Sequence, residues 1–91
     1  MPSPFDRYLG SCVVVDVRAT SLTYLGTLAE VSDHGLVLKD ADVHDASQSR
    51  TPREVYVLES KRHGVKANRR EVLIRLEEVV SMSKLEDVKE Y

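Results

Sequence analysis

Hydrophobic and polar positions alternate along much of this chain with the period of two that is typical of β-strands. Residues 12–18 open with Cys-Val-Val-Val and end in alternation, and β-branched residues of this kind favour a strand. The same signals predict five strands in all, over residues 12–18, 22–31, 36–43, 72–76 and 79–82. Five short strands in so small a chain predict an all-β fold built on a strongly bent antiparallel sheet. Gly26, inside the second strand, indicates a bend, a bulge or a close backbone approach.

The N-terminal segment predicts one short helix before the first strand. Ser3 can cap it, Pro4 suits the first helical position and Gly10 can end it. At the other end of the chain, only two acids, Glu77 and Glu78, stand between the last two strands. So short a link makes either a tight hairpin or a sharp change of direction.

An insertion of about residues 46–70 separates the third and fourth strands, and its centre carries conflicting signals. Val55-Tyr56-Val57 favours a strand by propensity. Residues 51–54, Thr-Pro-Arg-Glu, have the pattern of a capping box with Pro at the first helical position, and cations precede a terminating Gly64. Because the end signals agree with one another, we expect a helix over residues 51–64.

Size and composition place residues 1–91 in one domain. The chain is 42% hydrophobic and 31% charged, as in ordinary globular proteins, and so short a chain has a thin core that favours oligomerisation. No run approaches the roughly 20 apolar residues of a membrane helix, and the N-terminus lacks the pattern of a signal peptide. The one cysteine, Cys12, lies beside three valines and is interpreted as a small buried apolar residue. We therefore expect a cytoplasmic protein with no membrane partner.

The net charge of −2 hides an uneven distribution. Residues 1–49 carry seven acids and three Lys or Arg, residues 50–75 carry three acids and eight Lys or Arg, and residues 76–91 carry five acids and two Lys. The central excess of cations is either a surface for an anionic partner or a solvated face of the insertion.

No catalytic pattern stands out. The sequence has no Ser or Cys with a plausible base, no phosphate-binding glycine loop and no paired His at metal spacing. Asp40, Asp42 and His44 would share one face of a regular strand, but an acidic strand edge is the commoner explanation than a metal site. We predict that the protein is not an enzyme and that it holds no metal and no cofactor.

Several short motifs, taken in order, resemble the Sm/LSm-like family over about residues 4–84, in a divergent form of bacterial or phage type. These motifs are Tyr8-Leu9-Gly10, the alternating Val13, Val15 and Val17, Gly26-Thr27-Leu28, Leu36 to Ala41, Val72 to Arg75, and Val79 to Met82. The resemblance implies a five-stranded barrel-like fold with an N-terminal helix. It also implies a homo-oligomeric ring of about five to seven subunits, in which the fourth strand pairs with a neighbour's fifth strand.

A physical argument supports this assembly, because exposed sheet edges must be covered, charged or paired. The last predicted strand, Val79-Val80-Ser81-Met82, carries no charge that would repel a neighbour. The candidate interface residues are Val72, Ile74, Val79, Val80 and Met82.

Rings of this family usually bind uridine- or adenine-rich single-stranded RNA around the pore. The family's loop before the third strand typically carries an Asp, an aromatic residue or His, and an Asn; here His34 is kept and Gly35 stands where the Asn would be. Gly35 cannot make the base-edge hydrogen bonds of an amide, whereas His34 can stack on a base. Arg75 matches the family's Arg, but Leu76 replaces the Gly that follows it.

Two functions therefore remain open. In the first, the ring binds RNA with low sequence specificity; the candidate RNA-binding residues are His34, Gly35, Arg75, Lys66, Arg69 and Arg70. In the second, it is a homo-oligomeric assembly or scaffold module that has lost RNA binding and holds a protein partner through residues 50–70. Each candidate could also be merely solvated or paired with an acid, as Arg75 could be with a neighbouring glutamate. The position of the cations relative to the pore distinguishes the two functions.

Overall fold

The computed structural model describes residues 3–90, which form one five-stranded antiparallel sheet and one α-helix. The strands are β1 Cys12–Val17, β2 Leu22–Val31, β3 Gly35–Asp45, β4 Arg69–Arg75 and β5 Val79–Lys84. The helix, α1, spans Arg53–His63, and three short 3-10 helices span Pro4–Tyr8, Leu76–Glu78 and Leu85–Asp87. The predicted fold class, with its N-terminal helix and its helical insertion, is confirmed.

The strand order is β4-β3-β2-β1-β5, and every neighbouring pair is antiparallel. β4 and β5 are thus the two edges of the sheet, which is strongly bent but not closed into a barrel. The 3-10 turn Leu76–Glu78 carries the chain directly from one edge to the other. Of the two alternatives for this link, the sharp change of direction is the one observed.

The bend in β2 and β3 lies at Gly26. Leu25 pairs with Asp42 and Thr27 with Lys39, so one residue of β2 faces two of β3, which defines a β-bulge. A Cβ on Gly26 would lie 3.1 Å from the Cα of Ala41, which explains the glycine. Asp40, the extra residue, has φ of 49°. Because the bulge shifts the alternation of faces, the expectation that Asp40 shares a face with Asp42 is wrong.

The two faces of the sheet bury two separate clusters, as alternation along β1 requires: Val13 and Val15 enter one cluster and Val14 the other. The inner cluster comprises Val13, Val15, Val17, Leu28, Leu36, Leu38, Ala41 and Ile74, with Phe5 and Tyr8 of the N-terminal 3-10 helix packed against it. The outer cluster comprises Val14, Leu25, Val57 and Leu85. The insertion helix and the C-terminal segment therefore cover the outer face of the sheet.

Helix α1 docks on the sheet mainly through polar side chains. Arg53 donates two hydrogen bonds to the carboxylate of Asp16, from Nε at 2.9 Å and from Nη2 at 2.6 Å. The Tyr56 hydroxyl donates to Asp42 Oδ2 at 2.7 Å. Val57 is the helix residue that enters the outer cluster, at 1% exposure. Because the face of α1 that packs on the sheet carries so few apolar residues, the sequence shows no apolar stripe from which this face could be predicted.

The predicted capping box of α1 is wrong, although the helix itself is confirmed. Pro52, not Thr51, precedes the first helical residue, and no side chain caps the helix. Thr51 instead accepts a hydrogen bond from His44 Nε2 through its carbonyl oxygen, at 3.0 Å. Gly64 ends the helix as expected, with φ of 92° and its N–H donating to the Ser60 carbonyl. In the part of the chain that the structure describes, no helix has the length and apolar content needed to span a membrane.

Candidate nucleic-acid interface

The loop between β2 and β3 is a tight turn that presents His34 to solvent. The N–H of Ser32 donates to the Gly35 carbonyl at 3.0 Å, and the N–H of His34 donates to Ser32 Oγ at 3.1 Å. His34 is exposed, whereas Gly35 is buried against β4. The loop thus offers one aromatic ring and no amide side chain at its last position.

Arg75 lies beside this loop because Gly35 and Arg75 are partners in the β3–β4 ladder. The N–H of Leu76 also donates to the His34 carbonyl at 3.0 Å, which ties the two segments together. His34, Gly35 and Arg75 therefore form one group, here called the loop end. The Arg75 guanidinium forms an ion pair with Glu77, and both side chains are largely exposed, at 73% and 54%.

The other three candidates lie far from the loop end along the β3–β4 ladder. They are Lys66, Arg69 and Arg70, here called the basic end. Arg69 pairs with Ala41, six residues along β3 from Gly35. At about 3.3 Å per residue, the two ends lie on the order of 20 Å apart along the ladder. The structure thus brings three of the six predicted RNA-binding residues together at one end and places the other three at the opposite end. Arg69 and Arg70 also belong to β4, so the expected insertion boundary at residue 70 runs into a strand.

The side chain of Asn68 fixes the start of β4 next to the basic end. Its Oδ1 accepts from the Val43 N–H at 3.2 Å, and its Nδ2 donates to the Val43 carbonyl at 3.4 Å. Its own N–H donates to the Ala41 carbonyl at 2.9 Å. The amide side chain continues the β3–β4 ladder by one step and holds Arg69 at a defined place. Sequence reasoning noted Asn68 as a neighbour of the cations but not this role.

One acid of β3, Asp42, contacts helix α1. Asp42 accepts from Tyr56, and burial, followed by that hydrogen bond, raises the pKa of Tyr56 above its ordinary value. His44 is 8% exposed and stacks on the Tyr56 ring, with centroids 4.1 Å apart. Among residues 3–90, no group of three or more His, Cys, Asp or Glu side chains is arranged to hold a metal ion. Of the three acids in β3, Asp42 is thus explained by its contact with α1, whereas Asp45 accepts from the N–H and the hydroxyl of Ser47 in the turn that follows.

The predicted interface residues lie on the two edge strands with mixed orientations. Ile74 is buried in the inner cluster, and Val72, Val79 and Met82 pack against it. Val80 is 66% exposed. Sequence reasoning missed Leu73, which is 64% exposed on β4 and is the second large apolar side chain available at an edge. Its exposure follows from alternation with Val72 and Ile74.

These features define a small, bent, five-stranded antiparallel sheet with the strand order and edge strands of an Sm-like fold. The solved structure of the Pyrococcus abyssii Sm protein in complex with a uridine heptamer is similar to this chain, with a TM-score of 0.57 and 20% sequence identity. The similarity covers 91% of this chain and 99% of that one. No protein-family model matches the chain, and no curated protein matches it either. The chain therefore has an Sm-like fold, as its motifs predicted.

Proposed function

We propose that the protein assembles into a homo-oligomeric ring that binds single-stranded RNA with low sequence specificity. The observation that carries this proposal is the pairing of an Sm-like sheet, open at both edges, with a group of exposed cations at Lys66, Arg69 and Arg70. The similar Pyrococcus abyssii Sm protein is in complex with a uridine heptamer, which supports RNA as the ligand class. The protein acts as a binding module and not as an enzyme, and works in the cytoplasm.

Assembly would pair β4 of one subunit with β5 of the next, in a ring of about five to seven copies. Both strands are sheet edges, and each has backbone groups facing away from its single neighbouring strand. Leu73 and Val80 add an apolar side chain to each edge. Repetition of one edge-to-edge contact closes into a ring when the rotation per subunit allows it.

Low sequence specificity follows from the chemistry of the loop end. Base identity is read by hydrogen bonds to base edges, and Gly35 contributes none from a side chain. Cations bind phosphate whatever the base, so exposed Lys and Arg give affinity without sequence preference. We also propose that the protein is a divergent Sm-like protein of bacterial or phage type.

The test is fluorescence anisotropy of a labelled oligouridylate and a labelled oligoadenylate titrated with protein at several salt concentrations. We expect similar affinities for the two strands and a linear fall of log affinity with log salt, with a slope of about −0.7 per phosphate contact. Light scattering should give a mass several times the 10.3 kDa of one chain. A monomer that binds neither strand at low salt would refute the proposal.

A second function, a scaffold module that holds a protein partner, is favoured by one observation: Arg75 is already paired with Glu77. Deleting residues 50–70 would not test it cleanly, because Val57 covers Val14 and Leu25 in the outer cluster. The better variant changes exposed positions on α1, Val55 and Glu59 to Ser and Gln. Loss of a copurifying protein from this variant, with RNA binding absent in the native chain, would establish the scaffold function.

A further inference from the structure

The two ends of the β3–β4 ladder differ in charge. At the loop end, residues 30–35 and 75–78 carry four acids and one Arg, a net charge of −3. At the basic end, residues 39–41 and 66–71 carry four Lys or Arg and two acids, a net charge of +2. Since phosphate is attracted by net positive charge, the ladder has one end that favours an RNA backbone and one that disfavours it.

The only Lys or Arg at the loop end, within the segments just counted, is Arg75, and its charge is already compensated. Its guanidinium pairs with Glu77, and Glu78 and Asp33 lie in the same two segments. A phosphate that approached Arg75 would have to displace a carboxylate and would meet the repulsion of the remaining acids. Gly35 offers no side chain to offset that cost.

The cations of the basic end are differently placed. Lys66, Arg69 and Arg70 are exposed, and none of the four ion pairs found among residues 3–90 involves them. The Asn68 side chain, bonded to both backbone groups of Val43, fixes the point at which this segment joins the sheet. The start of β4, and with it Arg69 and Arg70, is therefore set by the fold, and none of the three cations is in an ion pair among residues 3–90.

We propose that the phosphate backbone of single-stranded RNA binds at Lys66, Arg69 and Arg70, and not at the loop formed by His34, Gly35 and Arg75. This inference rests on the proposed function and adds the place of binding. In a ring, rotational symmetry repeats the basic end once per subunit, so a strand can follow a circle of cations on the side of the ring away from the loop end. Contact with phosphate alone does not distinguish one base from another.

The experiment compares three variants with the native chain by anisotropy, using a fluorescein-labelled oligouridylate of about 15 nucleotides. Lys66→Ala, Arg69→Ala and Arg70→Ala together should weaken binding at least about tenfold at low salt and make the log–log salt slope shallower by about 2, since three phosphate contacts are lost. Arg75→Ala and Glu77→Gln should stay within about twofold of the native chain. Circular dichroism and light scattering check that each variant keeps its fold and mass.

The outcomes separate this inference from the proposed function. The inference alone is overturned if RNA binding survives the triple change and is lost in Arg75→Ala. It is also overturned if Glu77→Gln increases RNA affinity several-fold, because Arg75 would then bind RNA once its ion pair is removed. If the native chain binds no RNA, both the inference and the proposed function are overturned, and the basic end is then a candidate site for an acidic protein partner. A measurement on the native chain does not depend on the folding of variants. Bound oligouridylate should protect Lys66 from amine acylation and Arg69 and Arg70 from modification by a dicarbonyl reagent. Protection confined to Arg75 contradicts the inference.

Discussion

Gly35 and Ile74 lie so close across the β3–β4 ladder that a Cβ on Gly35 would overlap the Ile74 carbonyl oxygen and lie 3.1 Å from the carbonyl carbon. The obstacle is backbone, which cannot swing aside as the end of a long side chain can. The glycine at this position is thus a packing requirement of the sheet. The absence of an amide from the loop follows from how closely β4 approaches β3 in this chain.

Replacing Gly35 with Asn should therefore destabilise the protein instead of restoring a base-reading amide. We expect the free energy of unfolding to fall by about 2 kcal/mol or more, because the strands must separate to admit the side chain. Urea denaturation followed by circular dichroism measures it. Gly10→Asn is the matched control: Gly10 has φ of 83° and open space around it, so a cost of at most about 1 kcal/mol is expected. Equal stabilities of the two variants would contradict the packing argument.

The contact of Tyr56 with Asp42 predicts a pH dependence. Burial, then the hydrogen bond to Asp42, raises the pKa of Tyr56 above the ordinary value of about 10. In the unfolded chain the phenol loses its proton above that pH, whereas the folded chain keeps it. The stabilisation by Tyr56 is therefore full below about pH 10 and declines as the pH rises further.

Comparison with Tyr56→Phe isolates this contribution. At pH 8 the variant should be less stable by about 1–3 kcal/mol, because Asp42 loses a hydrogen bond in a half-buried place. The difference in free energy of unfolding between the two proteins should then shrink between pH 10 and about pH 11.5. Urea denaturation at each pH gives the values, and a difference that stays constant over this range would show that Tyr56 ionises alike in both states.

The bidentate contact of Arg53 with Asp16 should contribute measurably to the docking of α1. Both side chains are about one-third exposed, at 34% and 30%, so solvent screens the pair in part. A double-mutant cycle with Asp16→Asn and Arg53→Gln should give a coupling free energy of about 1 kcal/mol. The Arg75–Glu77 pair, which is much more exposed at 73% and 54%, should give no more than about 0.5 kcal/mol. A larger coupling for the second pair would reverse this ranking.

Charge at the sheet edges should prevent assembly. Val80 is the bulged residue of β5, since Asp16 pairs with Ser81 and Val17 with Val79, and it is exposed at the edge. Val80→Lys, and separately Leu73→Lys, should shift the mass measured by light scattering at micromolar concentration toward one chain. Val55→Lys is the control, because Val55 is exposed but belongs to α1 and not to an edge strand. Unchanged masses for the two edge variants would mean that the subunits associate through another surface.

The strands could be predicted where apolar residues alternate, as in Val13, Val15 and Val17, because one buried face imposes that period. The start of β4 could not be predicted in this way. Arg69 and Arg70 are not among the β-branched and aromatic residues that indicate a strand, and they are accommodated there because an edge strand leaves their side chains in water. Local pattern alone therefore places strands better than it places the ends of strands at an exposed edge.

The candidate RNA-binding residues were named from local motifs, which say nothing of their arrangement. His34 and Arg75 were two of them, and the β3–β4 ladder places them side by side. The separation of Lys66 and Arg69 from them depends on the register between β3 and β4, which the sequence does not specify. The docking of α1 escaped prediction for a similar reason, because Arg53 finds its partner 37 residues away in the chain.

The carboxylate of Asp16 has a wider consequence, because it accepts hydrogen bonds from two elements at once, Arg53 of α1 and Ser81 of β5. A subunit that pairs with β5 would hold Ser81, and through Asp16 would hold the first turn of the helix. Folding of the insertion and self-association then become thermodynamically linked. In the proposed ring, separating two subunits at β5 would therefore also remove support from the first turn of α1.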